Sequence, residues 1–323
     1  MTVTLEPIGV DEYVRDVLPH SAGLWAEGRT FERYAGDLRE LAVSGYGRRR
    51  FRLVGVRIDG RIVSSCKRYE RDLRCGDHVL RTIGIGAVFT RPTYRGRGLA
   101  TTMLAALLGA EQKAGTDFAF LFSNIRPRFY EEIGFVTLPS RLFTVRAQTL
   151  AFERIEPAPI RDADWPAVAR CFAAFERTRP FALRRTPLVW ELVRTRHRVN
   201  PAHGDVLNLS VRGGRGNGIL AYCLGRRVVK ADAYVLDEFA YAENRSELVG
   251  PLLRAAAGDL RKITGWLPPL PARNILPRGV TRARRDSILM AAPLSRAARA
   301  HWRTCSMEIQ RAAGDALWST DHI

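Results

Sequence analysis

The chain has 323 residues, 46% of them hydrophobic, and a formal net charge of +18; that length predicts two domains with ample material for folded cores. It contains no run of eighteen apolar residues and no basic-then-apolar leader, so a membrane span and a secretory signal are not expected and the cytoplasm is the expected location. Only residues 67, 113, 230 and 262 of the 51 basic residues are lysine, and the arginines are dispersed without the interleaved aromatics of a nucleic-acid module, so nucleic acid is not an expected partner.

The five cysteines are odd in number and form no Cys-x-x-Cys pair, which argues against a disulfide framework and a zinc site; no metal is expected. In chain order, Val3 to Ile8 reads as a strand, Gly9 to Leu18 as a helix, and Glu32 to Ser44 as a second helix with Leu38, Leu41 and Ala42 on one side. Phe51 to Ile58 and Arg61 to Glu70 alternate around Asp59-Gly60, a dipeptide suited to a type I′ hairpin turn. A second turn at Cys75-Gly76-Asp77 leads into the strand Thr82 to Phe89, where Gly84 and Gly86 leave one face bare for another group to lie against the backbone.

From Leu99, the residues Met103, Leu107 and Ala110 recur at helical spacing, and Gly115 marks a stop. The turn before that helix holds Arg95-Gly96-Arg97-Gly98. Unpaired N–H groups and the positive end of the helix dipole converge there, glycine allows close approach, and two arginines add charge-assisted hydrogen bonds, so the expected ligand is a pyrophosphate. Neither Gly-x-Gly-x-x-Gly nor a loop ending Gly-Lys-Ser/Thr is present, which argues against NAD and ATP.

The stretch Arg95-Gly-Arg-Gly-Leu-Ala100 resembles the acetyl-CoA loop of the GNAT N-acetyltransferases, Arg/Gln-x-x-Gly-x-Gly/Ala. A second element similar to that family follows: the strand Phe118 to Phe122, Ser123-Asn124, and Phe129-Tyr-Glu-Glu-Ile-Gly-Phe135. The resemblance implies an α+β fold with a mixed sheet over residues 1–150, closed by a strand at Thr137 to Val145. It further implies acetyl-CoA as donor, with Val88, Phe89 and Thr90 at the acetyl and pantetheine portion. Arg95, Gly96, Arg97, Gly98, Leu99, Ala100 and Thr101 would then hold the pyrophosphate, and Ser123 and Asn124 the pantetheine arm. Tyr130 would protonate the departing thiolate.

Residues 151–323 repeat the order of elements after Pro157 and Pro159: helices at Trp165 to Phe175 and Trp190 to Thr195, then strands at Val206 to Arg212, Ile219 to Arg226 and Ala233 to Tyr241. A helix at Ser246 to Thr264 and a short strand at Gly265 to Leu267 follow. The loop does not repeat, since Ala242-Glu-Asn-Arg-Ser246 has no glycine and one arginine; this half reads as a degenerate GNAT-like domain that does not bind CoA. Asp237 and Glu238 are placed to line a polar site or to form salt bridges. Such a tandem resembles the enhanced intracellular survival family, in a shorter form without its third domain.

The function implied is transfer of an acetyl group from acetyl-CoA to a primary amine of a small molecule within a ternary complex, the oligomeric state being open. A non-catalytic CoA-binding regulator and a peptide or protein amine acetyltransferase are the alternatives. The tail Leu317-Trp-Ser-Thr-Asp-His-Ile323 carries Trp318 and Ile323, which suggests docking. By likeness to the enhanced intracellular survival family, the Ile323 carboxylate is a candidate general base, with Asp321 and His322 as alternatives from the same tail.

Overall fold

The computed structural model describes residues 4–125, 127–199, 204–213, 218–312 and 315–323. Strand β1 (Glu6–Ile8) is followed by helices α1 (Val10–Asp16), α2 (Leu18–Trp25), α3 (Phe31–Val43) and α4 (Gly45–Arg50), then by β2 (Phe51–Ile58), β3 (Arg61–Cys75) and β4 (His78–Thr90). Val3, expected at the start of the first strand, lies outside the described residues. Asp59 and Gly60 have φ of +49° and +73°, the left-handed pair that a type I′ turn requires. Helix α5 (Leu99–Lys113), β5 (Phe118–Ser123), α6 (Arg128–Glu131) and β6 (Val136–Thr137) complete the first series.

The next strand, β7 (Arg141–Arg146), belongs elsewhere. After it come β8 (Ala158–Pro159), α7 (Trp165–Glu176), β9 (Phe181–Arg184), α8 (Pro187–Val199), β10 (Asp205–Val206), β11 (Leu209–Arg212), β12 (Ile219–Val228) and β13 (Ala233–Tyr241). The chain continues through α9 (Val249–Ala257), β14 (Lys262–Trp266), β15 (Val280–Ala283), β16 (Ile288–Pro293) and α10 (Arg296–Ala312). None of the described helices is long and apolar enough to cross a membrane.

Two mixed sheets result, in the orders β1-β2-β3-β4-β5-β16-β6 and β15-β7-β14-β13-β12-β11-β8, with β9 added to β3 and β10 to β12. Each has the same centre: β4 with β5, and β13 with β14, are parallel pairs. Beyond each centre the sheets exchange strands. β16, from the end of the chain, lies antiparallel on β5, and β7, from the first half, lies antiparallel on β14. The expected closing strand at Thr137 to Val145 is therefore corrected: only β6 stays with the first sheet. Alternation in a strand says which residues share a face, not which edge they join.

The exchange straddles residue 150, and the largest buried cluster runs from Tyr13 through Phe143 to Trp318, fusing both halves in one apolar core. The helix expected to run to Thr264 ends at Ala257, because Gly258 (φ +60°) turns the chain and Lys262–Trp266 pairs with β13 and β7. Helix α10 was not expected; it lays Ala298, Trp302, Cys305 and Ile309 on Phe118, Phe120 and Leu289 of the first sheet.

Candidate active site

The site begins with a break in β4. Its parallel pairing with β5 stops at Ile85 and Leu121 although both strands run on, so a wedge opens between them. In the same place, Ser65 faces Phe89 and Lys67 faces Gly86, which leaves Ala87 and Val88 together opposite Cys66. This is a β-bulge, and Ala87 takes φ of +47° to make it. A bulged residue drops out of the ladder and re-aims its polar groups; Ala87 and Val88 line a cavity of about 460 Å³.

The loop that follows joins β4 to the N-terminus of α5. Gly96 (φ +75°) and Gly98 (φ +71°) are left-handed, a conformation that strains any residue with a side chain. The first helical bond of α5 is Thr102 N–H to the Gly98 carbonyl at 2.9 Å, so the N–H groups of Leu99, Ala100 and Thr101 point out of the helix end. Arg95 Nε donates to Thr90 O (3.2 Å) and Arg97 Nη2 to Thr93 O (3.3 Å), with Arg97 stacked over Tyr94. Those bonds brace the exposed arginines, and each guanidinium keeps further donors. The residues present suit a pyrophosphate.

Side chains of the expected set divide. Val88, Asn124 and Tyr130 line the cavity, whereas Phe89 and Leu99 point into cores, 3% and 7% exposed, and can serve a ligand only through the backbone. Ser123 Oγ bonds within its own turn to Ile125, and Asn124 Oδ1 accepts from Ser287 N–H at 2.8 Å, so both fasten the end of β5. Tyr130 packs edge-on against Phe129 and Phe135. Burial, with Cys66 adding, pushes its hydroxyl up to about 12, which keeps the proton on it at neutral pH.

The far wall is the tail. Trp318, 1% exposed, packs against Phe239 and Phe175. Asp321, fully buried, receives Arg185 at 3.0 Å and Arg71 at 3.3 Å. Burial alone would raise its carboxyl, but Arg185, Arg71 and Arg179 outweigh it and hold it below the usual range. Arg185 also grips Glu238, which accepts from Tyr222 and Thr320. Glu238 is thus a buried ion-pair residue. Asp237, at the register shift of β13, lines the cavity and bonds Arg226 at 2.6 Å.

The clamp delivers Ile323 to the bare face of β4. A Cβ at Gly84 would collide with Ile323 Cδ1, and one at Gly86 would sit 3.3 Å from Ile323 C and O, so both glycines make room for the tail. His322 lies against Phe122 and Trp266, and burial, then Arg196 and Arg284, push its imidazole down to about 3. Among the cavity residues that no sequence motif marks are Lys67 on β3 and Arg196 on α8. For Lys67 a signal existed, since it is one of four lysines and sits within an alternating strand.

A family model for the acetyltransferase (GNAT) domain matches residues 13–137, and no curated protein matches the chain. Among solved structures, a probable N-acyltransferase from Enterococcus faecalis V583 aligns with a TM-score of 0.72 at 14% identity, over 91% of this chain and 73% of that one. Eis1 from Mycobacterium abscessus aligns with a TM-score of 0.61 at 14% identity, over 90% and 74%. A tandem GNAT protein from the clavulanic acid biosynthesis pathway aligns at 0.50 and 11% identity, over 91% and 99%. Likenesses at these identities are of fold, and the fold is that of tandem GNAT proteins.

Proposed function

We propose that this chain, a GNAT acyltransferase by its domain at residues 13–137, moves an acetyl group from acetyl-CoA to a primary amine of a small molecule by direct transfer. One observation carries the reading: the bulge at Ala87 and Val88, Tyr130, and Ile323 share one cavity. The glycine loop after β4 leads from the same strand.

Acetyl-CoA supplies an activated acetyl group as a thioester. Exposed N–H groups of residues 96–101, with Arg95 and Arg97, hold its pyrophosphate. The bulged backbone at Ala87 and Val88 offers an N–H to the acetyl oxygen where negative charge develops. Tyr130, kept protonated by burial, gives its proton to the departing sulfur. An amine with an ordinary pKa of about 10 is mostly protonated at neutral pH and must lose that proton before attack.

Of the tail groups, Asp321 is held by Arg185 and Arg71, and His322 is too weak a base with its imidazole down at about 3. The Ile323 carboxylate, whose oxygen lies beside Gly86, is the proposed acceptor of the proton. That role needs a free carboxylate at Ile323, and the glycine extension below tests whether transfer depends on it. Screening pooled primary amines for acetyl-CoA-dependent thiol release, with product mass, tests the reading as a whole. Acetylated small amines support it; if every pool is inert while acetyl-CoA binds, a regulatory role replaces it.

A further inference from the structure

The cavity wall at β3 and α8 carries two cations, Lys67 and Arg196, that no carboxylate among the described residues approaches within ion-pair distance. Arg29 is paired with Asp37 at 3.1 Å and Arg226 with Asp237 at 2.6 Å. Lys67 is different. It is 7% exposed, and its Nζ bonds the neutral Tyr34 hydroxyl at 3.0 Å. Arg196 lines the same cavity, and among the described residues no carboxylate pairs with either cation. Glu27 is also at the wall but is exposed to solvent.

A buried ammonium without a counter-ion is unfavourable, and proteins seldom keep one without a use. Burial chiefly, with Arg196 and Arg29 adding, holds the Lys67 amine below its usual range; an anion arriving beside it would reverse that cost. The position fits a ligand contact. Lys67 stands directly across from Gly86, so it shares the face of β4 on which Ile323 lies, beside the bulge. In a chain that otherwise uses arginine almost throughout, lysine here provides a compact charge on a slender stem that a packed wall can admit.

We propose that the acceptor carries a carboxylate near its amine, and that Lys67 and Arg196 receive this carboxylate. The acceptor is then of the amino-acid class, and polycations are excluded by like-charge repulsion. This rests on the acetyl-transfer reading and narrows it. The amine lies toward the bulge and the carboxylate toward β3 and α8, which orients one end of a small zwitterion for attack.

The test compares the free α-amino acids, their methyl esters, and spermidine as acceptors, by thiol release with saturating acetyl-CoA. One or more free acids should exceed their own ester by about ten- to hundredfold in kcat/KM, the range of a charge-assisted hydrogen bond. Lys67→Met, which keeps the stem, should raise KM for the acid by a similar factor while KM for the ester and for acetyl-CoA stays within about twofold. Esters or spermidine used as well as free acids would overturn the inference and leave acetyl transfer standing. If no amine turns over, calorimetry on the CoA-loaded protein decides: free acids binding more tightly than esters, with the difference lost in Lys67→Met, upholds the carboxylate site, and equal binding removes it.

Discussion

Asp321→Asn is the sharpest test of how the site is held together, because it keeps shape and removes one charge. The carboxylate is fully buried; its Oδ1 accepts from Arg185 and Arg71, and its Oδ2 from Trp318 N–H at 3.2 Å. The variant takes the carboxylate charge from Arg71 and leaves Arg185 with Glu238 and the Thr320 hydroxyl. Breaking a buried pair from one side costs about 3–5 kcal/mol, a large part of a net stability of about 5–15 kcal/mol. Urea unfolding followed by tryptophan fluorescence measures the loss, and limited proteolysis shows whether the tail is freed first. The pH dependence has a definite sign: the folded carboxyl is held below its unfolded value, so its contribution is full above about pH 4 and fades as pH falls further, through the folded pKa. The penalty should be constant through neutrality and shrink only in acid. A variant within about 1 kcal/mol of the parent at pH 7 would refute the clamp.

Tyr130→Phe keeps the contacts with Phe129 and Phe135 and should lower kcat by ~10²–10⁴-fold with acetyl-CoA affinity unchanged; wild-type turnover would count against its role as acid. Adding two glycines after Ile323 moves the terminal charge away from Gly86 and should abolish transfer while unfolding and acetyl-CoA binding stay as before; normal turnover rejects the terminal base. Residues 1–150 and 151–323 expressed apart each lack an exchanged strand, β16 or β7, and should be insoluble or unfolded by circular dichroism, whereas a stable, cooperatively melting fragment 1–150 would contradict the exchange.

The loop and the central strand were legible because their signals are local. Period-two alternation, two glycines before a helix and the Phe-Tyr segment each report on neighbouring residues, and the structure puts all three around β4 and α5. The strand exchange was not legible, since β7 and β16 satisfy the same alternation on either sheet and only long-range packing selects the partner. Helix α10 carried a usable signal: Ala298, Trp302, Cys305 and Ile309 recur at helical spacing, but arginines and mixed polar residues between them obscured it. Docking of the tail was readable from Trp318 and Ile323. The buried arginines that hold it, Arg71 on β3 and Arg185 after β9, come from elements far apart in sequence, and no local pattern links them.

Whether the loop after β4 delivers acetyl-CoA to the cavity at the bulge is decided by calorimetric titration of acetyl-CoA into the protein and into Gly98→Val. Gly98 stands at φ +71° at the helix start, where valine is strained and its side chain intrudes on the exposed N–H groups. The parent should show saturable one-site binding, and the variant a loss of at least tenfold in affinity with its unfolding transition preserved. Equal affinity in the two proteins, or no binding by the parent, would contradict that delivery.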